Sequence, residues 1–422
     1  MLAWRRLGLR FCFITSLGGC RSCDCNSGPA GDPPGMPPRC VAQNGFPSLA
    51  VAIAKGAPAA VGDECHPDEC GLNGVWLGHG VPFRTLHTTH GVKNPEKVTV
   101  EQFRKAGQNL RLDVQGHDLI GWQTVTKTIF GVKFELDVPV TGADLQNAEL
   151  MLADFSQAVV RDYTLKIEKV ESDPFWTRCT SGDCPAQDHA VPVYNFTVTN
   201  NSDQCPVVLC SPELEPGPGT SSPGIPSMIG RAVIFRGDFY DDDPLTRGPG
   251  DYDVRGPVAG EDDLFNIACV GSVISKLHFL RHTSAAVASF EGMTSAQTKA
   301  MTTSIPQRQA MMRLLTADYC GIGHPFTRNG VPINLKLNST YQPTFLSSGT
   351  SSREALWTGN GASCVSTPRL TKSLSAAAAQ KFRDDINSTC TGHGRPAPPS
   401  CPDISPGSEF VSGDYAMSMN PP

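Results

Sequence analysis

Sixteen cysteines in a chain of 422 residues constrain the fold more than any other feature of this sequence. They do not fall into the two paired CxxC motifs that a structural zinc site uses. Disulfides form in oxidising compartments, so the sequence predicts an exported domain held together by disulfides. Three cysteine pairs, each separated by four residues, are expected to form local disulfides. These are Cys65 with Cys70, Cys179 with Cys184, and Cys205 with Cys210.

The Cys205–Cys210 pair has an alternative. The residues between these cysteines, Val207 to Leu209, also read as a strand. A strand rises by about 3.3 Å per residue and would hold the two cysteines apart. Distant partners are then expected for both.

The N-terminus has the pattern of a bacterial lipoprotein signal. Three arginines lie within the first ten residues, and a short apolar segment follows over 11–17. The next residues end in Gly18-Gly19-Cys20, which resembles a lipobox, where small residues precede the cysteine that carries a diacylglycerol. The sequence therefore predicts a signal peptide over 1–19 and lipidation of Cys20. An ordinary signal peptide and a mis-assigned start codon are the alternatives.

This signal predicts an exported lipoprotein at the outer membrane or cell surface, held to the membrane through its N-terminal lipid. A periplasmic or secreted protein is the alternative. The formal net charge of −6 is spread along the chain without a basic stripe, which argues against a nucleic-acid partner. No run of about 18 apolar residues suggests a membrane-spanning helix. The sequence indicates no cofactor.

Composition and residue alternation favour a β-rich fold. The chain has 41 glycines and 35 prolines, and both residues disfavour helices. Apolar and charged or polar residues alternate over 110–114, 132–138, 163–168 and 194–198, which predicts half-buried antiparallel strands. Residues 143–157 fit a helix and a strand equally well, and that choice stays open.

The last third of the sequence predicts helices. Helical periodicity covers residues 266–280, and a second helix starts at the N-cap Ser304 and ends at Gly321. An alanine-rich helix is expected over 373–387. Asn329-Gly330 between two apolar segments predicts a β-hairpin.

The Gly/Pro-rich tail after Thr391 is expected to be loose, clipped by a Cys390–Cys401 disulfide. The predicted fold is α+β and β-rich. An antiparallel β domain precedes a helical C-terminal part that is stapled by disulfides.

Four segments in order resemble the ADYC-domain family of exported proteins, best known from myxobacteria. The signature is Ala317-Asp318-Tyr319-Cys320. It is flanked by Phe265–Cys269, by the Asn329–Asn334 hairpin, and by Glu354–Trp357 with Gly361–Cys364. The resemblance covers roughly residues 100–370 and implies an architecture and an exported location rather than a reaction. Leu277 and Met311 stand where the family commonly has two further cysteines.

The predicted domain layout follows from these features. Residues 1–19 are a signal peptide, 20–44 a Gly/Pro-rich tether and 45–99 a cysteine-containing segment. Residues 100–371 form the β-rich ADYC-type domain, and 372–422 form a helix and the loose tail.

The signature is expected to have a structural role. Asp318 is predicted to cap backbone amides of the following turn, while Tyr319 packs in the core. Cys320 is expected to form a long-range disulfide with Cys269 or Cys364, which would fasten the signature helix to its neighbour. The disulfide candidates are Cys65, Cys70, Cys179, Cys184, Cys205, Cys210, Cys269, Cys320, Cys364, Cys390 and Cys401.

Two weak alternatives involve metal or thiol chemistry. Asp238, Asp241 and Asp243 lie in a Gly/Asp-rich loop and could bind Ca²⁺, but a solvated acidic loop is the favoured interpretation. Cys269 beside His278 or His324 could act as a nucleophile, but disulfide use is the favoured interpretation.

No residue is therefore predicted to be catalytic. The sequence favours a lipid-anchored binding or structural module with an unidentified protein or glycan partner, and leans away from an enzyme. The alternative is an exported hydrolase whose site is not recognisable from sequence. A deep pocket around Asp318 and His324 would favour that alternative.

Overall fold

The structure is a computed structural model. It describes residues 85–94, 97–156, 158–177, 190–201, 206–210, 231–241, 253–255, 263–269, 273–280, 282–284, 302–327, 331, 333–337, 352–372, 374–402 and 413–420. The chain divides into units 1–58 and 59–422, and every described residue belongs to the second unit. The predicted signal peptide, the tether and the Cys65–Cys70 and Cys179–Cys184 pairs lie outside the described residues.

An antiparallel sheet of eleven strands dominates the described part of the chain. Its strand order is β1-β13-β10-β8-β7-β6-β2-β3-β4-β5, and β9 pairs with β8. The strands are β1 Thr85–His87, β2 Val98–Lys105, β3 Gln108–Gln115, β4 Asp118–Ile129, β5 Val132–Thr141, β6 Glu149–Asp154, β7 Arg161–Thr177, β8 Ala190–Asn200, β9 Pro206–Val208, β10 Arg231–Arg236 and β13 Leu264–Cys269.

The four alternating segments are confirmed as antiparallel strands, since they lie in β3, β5, β7 and β8. The predicted half-burial is wrong for β5, whose apolar residues Val132 to Val138 are exposed because no other element packs on the outer half of the β4–β5 hairpin in the part of the chain that the structure describes. The ambiguous segment 143–157 is resolved as a strand. A 3₁₀ turn over Gly142–Leu145 leads into β6, which pairs with β2 on one side and with β7 on the other. Pairing on both sides explains the outcome, because Leu150 and Leu152 then share one buried face of the sheet.

Two smaller sheets complete the β structure of the described residues. β11 Phe239–Asp241 pairs with β12 Asp253–Arg255. A four-stranded antiparallel sheet has the order β14-β17-β15-β16. Its strands are β14 Asn334–Leu337, β15 Ser352–Thr358, β16 Gly361–Val365 and β17 Ala416–Asn420.

The helices differ from the prediction at their ends. The segment 266–280 begins as strand β13, and only α1 Val273–Phe279 is helical. The second helix, α2 Ile305–Thr316, starts with the predicted N-cap Ser304, whose side chain forms a capping box with Gln307. It ends earlier than Gly321, because Ala317 adopts a left-handed conformation with φ 53°.

The alanine-rich helix is α3 Ala376–Gly392, which runs five residues further than predicted. Within the described residues, no helix is both long and apolar enough to cross a membrane.

The C-terminal tail is not loose where the structure describes it. β17 lies between β14 and β15 in the small sheet and pairs with both strands. Its alternate residues Ala416 and Ser418 are fully buried. The predicted hairpin turn at Asn329-Gly330 lies outside the described residues, and β14 pairs with β17 rather than with the segment before that turn.

Two large apolar clusters and one small cluster around Leu356 form the core among the described residues. One of the large clusters lies on the large sheet and includes Phe103, Leu150 and Phe196. The other joins α1, α2 and α3 to the small sheet and to β10, with Met311 and Trp357 at its centre. The predicted class, β-rich α+β with disulfides in the C-terminal part, is therefore confirmed in its broad outline.

Candidate functional site

Three disulfides join distant parts of the described chain. Cys210 is bonded to Cys269, with 5.4 Å between their Cα atoms. Cys320 is bonded to Cys390 at 5.0 Å, and Cys364 to Cys401 at 4.7 Å. All six are among the predicted candidates, and a disulfide-bonded domain is confirmed.

The predicted pairings of these cysteines are wrong. Cys210 does not pair locally with Cys205, because it is bonded to Cys269. The alternative, a strand between the two positions with distant partners, is confirmed for Cys210, since β9 covers Pro206–Val208, while Cys205 lies outside the described residues. Cys320 bonds neither Cys269 nor Cys364, since both are taken, and α3 instead brings Cys390 to the end of α2. The predicted Cys390–Cys401 disulfide is also wrong, because Cys390 is bonded to Cys320 and Cys401 is bonded to Cys364.

The signature residues lie in the core. Asp318 is fully buried, and its carboxylate accepts hydrogen bonds from the backbone amides of Ile322 at 3.1 Å and Gly323 at 2.7 Å. This is the predicted capping of the following turn. The Arg313 guanidinium also donates to Asp318, at 2.6 Å. Both carboxylate oxygens are therefore used within the fold.

Tyr319 belongs to a buried polar triad with Glu354 and Arg369. The Tyr319 hydroxyl donates to Glu354 Oε1 at 2.6 Å, and Arg369 Nε donates to the same oxygen at 2.7 Å. Burial raises the pKa of Tyr319 well above its ordinary value, and the nearby Glu354 carboxylate raises it further. The phenol therefore stays protonated and acts as a donor.

The triad reaches back to the signature helix. Arg369 Nη2 donates to the carbonyl of Leu314 at 2.7 Å, which satisfies a backbone acceptor in the last turn of α2. The Tyr319 ring stacks on Trp357, with ring centroids 5.4 Å apart. The signature thus joins α2 to β15 and to the segment after β16.

Two glycines allow this junction to close. A Cβ on Gly321, whose φ is +67°, would lie 1.9 Å from the carbonyl oxygen of Asn360. A Cβ on Gly361, whose φ is +112°, would lie 2.7 Å from the Gly321 nitrogen. Both positions therefore require glycine.

Asp238 is engaged in the fold rather than offered to Ca²⁺. Its carboxylate binds the buried Arg308 guanidinium through two contacts, at 2.5 and 2.8 Å. Asp241 lies in β11, and Asp243 lies outside the described residues. Among the described residues, no cluster of three His, Cys, Asp or Glu side chains is placed to hold a metal.

Two buried histidines, His278 and His282, lie near the Arg308 guanidinium, whose charge acts on both rings. His278 stacks on Phe235 at 3.6 Å between ring centroids, and neither of its ring nitrogens has a hydrogen-bond partner among the described residues. Burial lowers its pKa well below the ordinary value, with His117 and Arg308 nearby acting in the same direction. Burial also lowers the pKa of His282 to about 4. These rings are neutral core side chains near pH 7.

The thiol-nucleophile alternative has no free thiol to use. Cys269 and Cys320 are both in disulfides, and disulfide sulfurs cannot act as thiolates. His324, the other candidate base, is half-buried with its ring against Phe326, at 4.6 Å between centroids.

An open groove of about 600 Å³ lies on the outer face of the large sheet. Its walls come from β2, β3, β4 and β6 and from the loop after β1. Most of the strand residues in the walls lie on the face opposite the core, and Leu110 is a buried core residue at the edge of the groove. The lining residues are His90, Glu101, Gln102, Asn109, Leu110, Arg111, Trp122, Thr124 and Met151.

Trp122 is the aromatic centre of this groove and is held in a fixed orientation. Its indole nitrogen donates to Asp113 at 3.2 Å, and the Arg111 guanidinium lies 5.3 Å from the ring centroid. Arg111 is itself paired with Asp137 at 3.2 Å. Gln102 donates to Asn109, so two amide side chains also stand next to each other in the groove.

A bulge in β2 contributes the acidic side of the groove. The register between β2 and β6 shifts between Val100 and Gln102, which leaves Glu101 without an opposite residue. Bulges re-aim side chains in this way, and Glu101 is exposed at the groove.

Sequence reasoning missed this groove and the triad. A usable signal for the groove was Trp122, a large aromatic at a position that alternates with Gly121 and would otherwise be polar. Glu354 and Arg369 gave no local signal, because they lie 15 residues apart and meet only in the fold.

The comparisons with known proteins agree with the signature. No match to a curated protein or to a solved structure was found. The family model of the ADYC domain matches residues 142–371, which is more than half of the chain. This span contains the disulfide-bonded Cys320, the buried triad and both close glycines. The chain therefore belongs to the ADYC-domain family.

Proposed function

We propose that this chain is an exported, lipid-anchored cell-envelope protein whose folded part binds a polar ligand, a glycan, in the Trp122 groove. The groove carries the binding proposal, because it combines an oriented aromatic ring with amide and carboxylate side chains. The lipobox-like sequence that ends at Cys20 carries the proposal of location.

The groove has the chemistry that a sugar ring requires. The C–H face of a pyranose is apolar and packs on an aromatic ring, while its hydroxyls need paired donors and acceptors. Trp122 supplies the ring, Gln102 and Asn109 supply amides, and Glu101 supplies an acceptor. The volume of about 600 Å³ is within the range of ligand sites.

The candidate residues for a hydrolase site, Asp318, Cys269 and Cys320, do not support that activity. Asp318 is buried with both oxygens engaged, so it cannot serve a substrate as acid or base. Cys269 and Cys320 are oxidised. A binding role therefore explains the described side chains better.

Oligosaccharides prepared from bacterial envelopes, presented as an array, test the binding proposal. We expect the full chain to retain a subset of them and Trp122→Ala to lose it, by about ten-fold or more in affinity. Lys166→Ala, on the outer face of β7 and outside the groove, is the matched control. Retention that Trp122→Ala leaves unchanged, or no retention by the native chain, would rule out the groove as a glycan site.

Metabolic labelling with a clickable fatty acid tests the location. We expect label on the native chain, none on Cys20→Ala, and loss of the variant from the membrane fraction. An unlabelled native chain, or unchanged fractionation of Cys20→Ala, contradicts the anchor without affecting the glycan proposal.

A further inference from the structure

The β4–β5 hairpin carries an uncovered apolar face. Along β5, alternate residues continue the face that is buried elsewhere in the sheet, and Val140 near its base still packs against the core. Nearer the turn this face is open, with side-chain positions 38% to 55% exposed. These residues are Ile129, Val132, Phe134, Leu136 and Val138.

The turn of this hairpin holds a phenylalanine in an unfavourable conformation. Phe130 has φ 52°, Gly131 has φ 79°, and Phe130 is fully exposed. Two positive φ angles in a two-residue turn favour Asn, Asp or Gly. An exposed aromatic at such a position costs stability in the isolated chain, which suggests that the side chain is used in a contact.

The outer edge of β5 is free among the described strands, since β5 ends the strand order of the sheet. Ile129 and Val132 flank the turn and form its closing pair. Because that pair is hydrogen-bonded in a two-residue hairpin, the backbone groups of Lys133, Glu135 and Asp137 point away from β4. The backbone of Pro139 also points away from β4, and proline has no N–H to donate to a partner strand there.

Charge selects one way for this edge to pair with a copy of itself. In an antiparallel pair around a two-fold axis at Lys133 or Glu135, that charge would face its own copy. An axis at Leu136 would place Glu135 opposite Asp137. An axis at Phe134 places Lys133 opposite Glu135 twice, and opposite charges across strands are favourable.

The two-fold axis at Phe134 also places the apolar side chains of the two hairpins opposite one another. With Phe134 opposite its copy, Val132 faces Leu136 of the second chain, so the apolar face is continuous. Phe130 then lies beside Val138 of the second chain, near the base where that chain's own core begins. Across the new strand pair the apolar side chains of the two copies contact one another side by side, and Phe130 gains an apolar neighbour.

We propose that this chain forms a symmetric dimer in which β5 pairs antiparallel with β5 of a second copy, with the two-fold axis at Phe134. A bilayer is the less suitable occupant. The hairpin has an open strand edge, and the hydrocarbon region does not accept unpaired backbone groups.

Sedimentation analysis of the full chain carrying Cys20→Ser, from about 1 to 100 µM, tests the dimer without a lipid. We expect a reversible dimer. Glu135→Lys creates two Lys–Lys contacts and should weaken association about ten-fold or more. Lys133→Glu should do the same, and the double variant K133E/E135K should restore the native dissociation constant. The control Asp384→Lys, at an exposed position of α3 outside the hairpin, changes the net charge by the same amount and should leave association unchanged.

Phe130→Asn separates association from folding. The variant should raise the thermal midpoint of the monomer, because Asn suits the turn, and yet weaken the dimer. A chain that stays monomeric, or a charge swap that does not restore association, overturns the proposal. Association that Phe130→Asn leaves unchanged, or Phe130-dependent binding to phosphatidylglycerol vesicles in place of dimerisation, also overturns it.

Discussion

Removal of the Cys320–Cys390 disulfide should destabilise the domain. It should leave the Trp122 groove unaffected, because the groove is lined by residues between positions 90 and 151. The bond closes a loop with a sequence separation of 70 residues. In the chain-entropy model, releasing a loop of that length lowers the free energy of unfolding by about 4 kcal/mol. The double variant C320A/C390A leaves no new thiol behind and should show this loss.

The measurement is urea-induced unfolding of the oxidised chain, followed by tryptophan fluorescence. Each single variant should lose about as much as the double variant, because each breaks the same bond. The control C364A/C401A releases a separation of 37 residues. Its loss should be smaller by about 0.6 kcal/mol.

Two results would refute this reasoning. Additive losses in the two single variants would mean that Cys320 and Cys390 have different partners. A peptide linking Cys320 to Cys269 or Cys364 in a non-reducing map would show directly that the signature is fastened elsewhere.

Three further changes test the signature and the buried polar groups. Gly321→Ala forces a Cβ to 1.9 Å from a carbonyl oxygen and should cost about 3 kcal/mol in urea unfolding, so a native-like midpoint would contradict the close approach. Glu354→Gln leaves the buried Arg369 without its counter-charge and should cost about 3–5 kcal/mol. Replacement of both residues, E354Q/R369M, should recover part of that loss. The neutral His282 ring, with its pKa lowered to about 4, contributes stability that is complete above pH 6.5 and is lost as the pH falls towards 4. At about 1.4 kcal/mol per pH unit this amounts to about 3 kcal/mol, and His282→Gln should flatten the pH dependence of unfolding by that amount.

The location of the proposed ligand groove is informative about the family. The matched span begins at residue 142, whereas Trp122, Gln102 and Asn109 precede it. The signature and its triad lie inside the span and are buried. Family membership therefore accounts for the junction that closes the fold. The proposed dimer surface and most of the proposed ligand groove lie on strands before the matched span, while Met151 of β6 lines the groove from within it.

Much of the fold follows from local patterns. Alternation along β3, β7 and β8 identified these strands, because a half-buried strand imposes a period of two on its residues. The same alternation identified β5, although its apolar face is exposed. Ser304 and Gln307 identified the start of α2, because a capping box is a local set of hydrogen bonds. Asp318 was correctly expected to cap the turn that follows it.

The cysteine pairings and the polar triad were decided by tertiary structure alone. Spacing favoured Cys205 with Cys210 and Cys390 with Cys401, yet strand β9 extends the first segment and α3 presents Cys390 to Cys320. Local spacing measures only the distance along the chain, whereas a disulfide requires two Cα atoms within about 4.4–6.8 Å in space. The sequence by itself determined a disulfide-bonded β-rich domain, and the packing of α2, α3 and the small sheet decided which sulfurs meet.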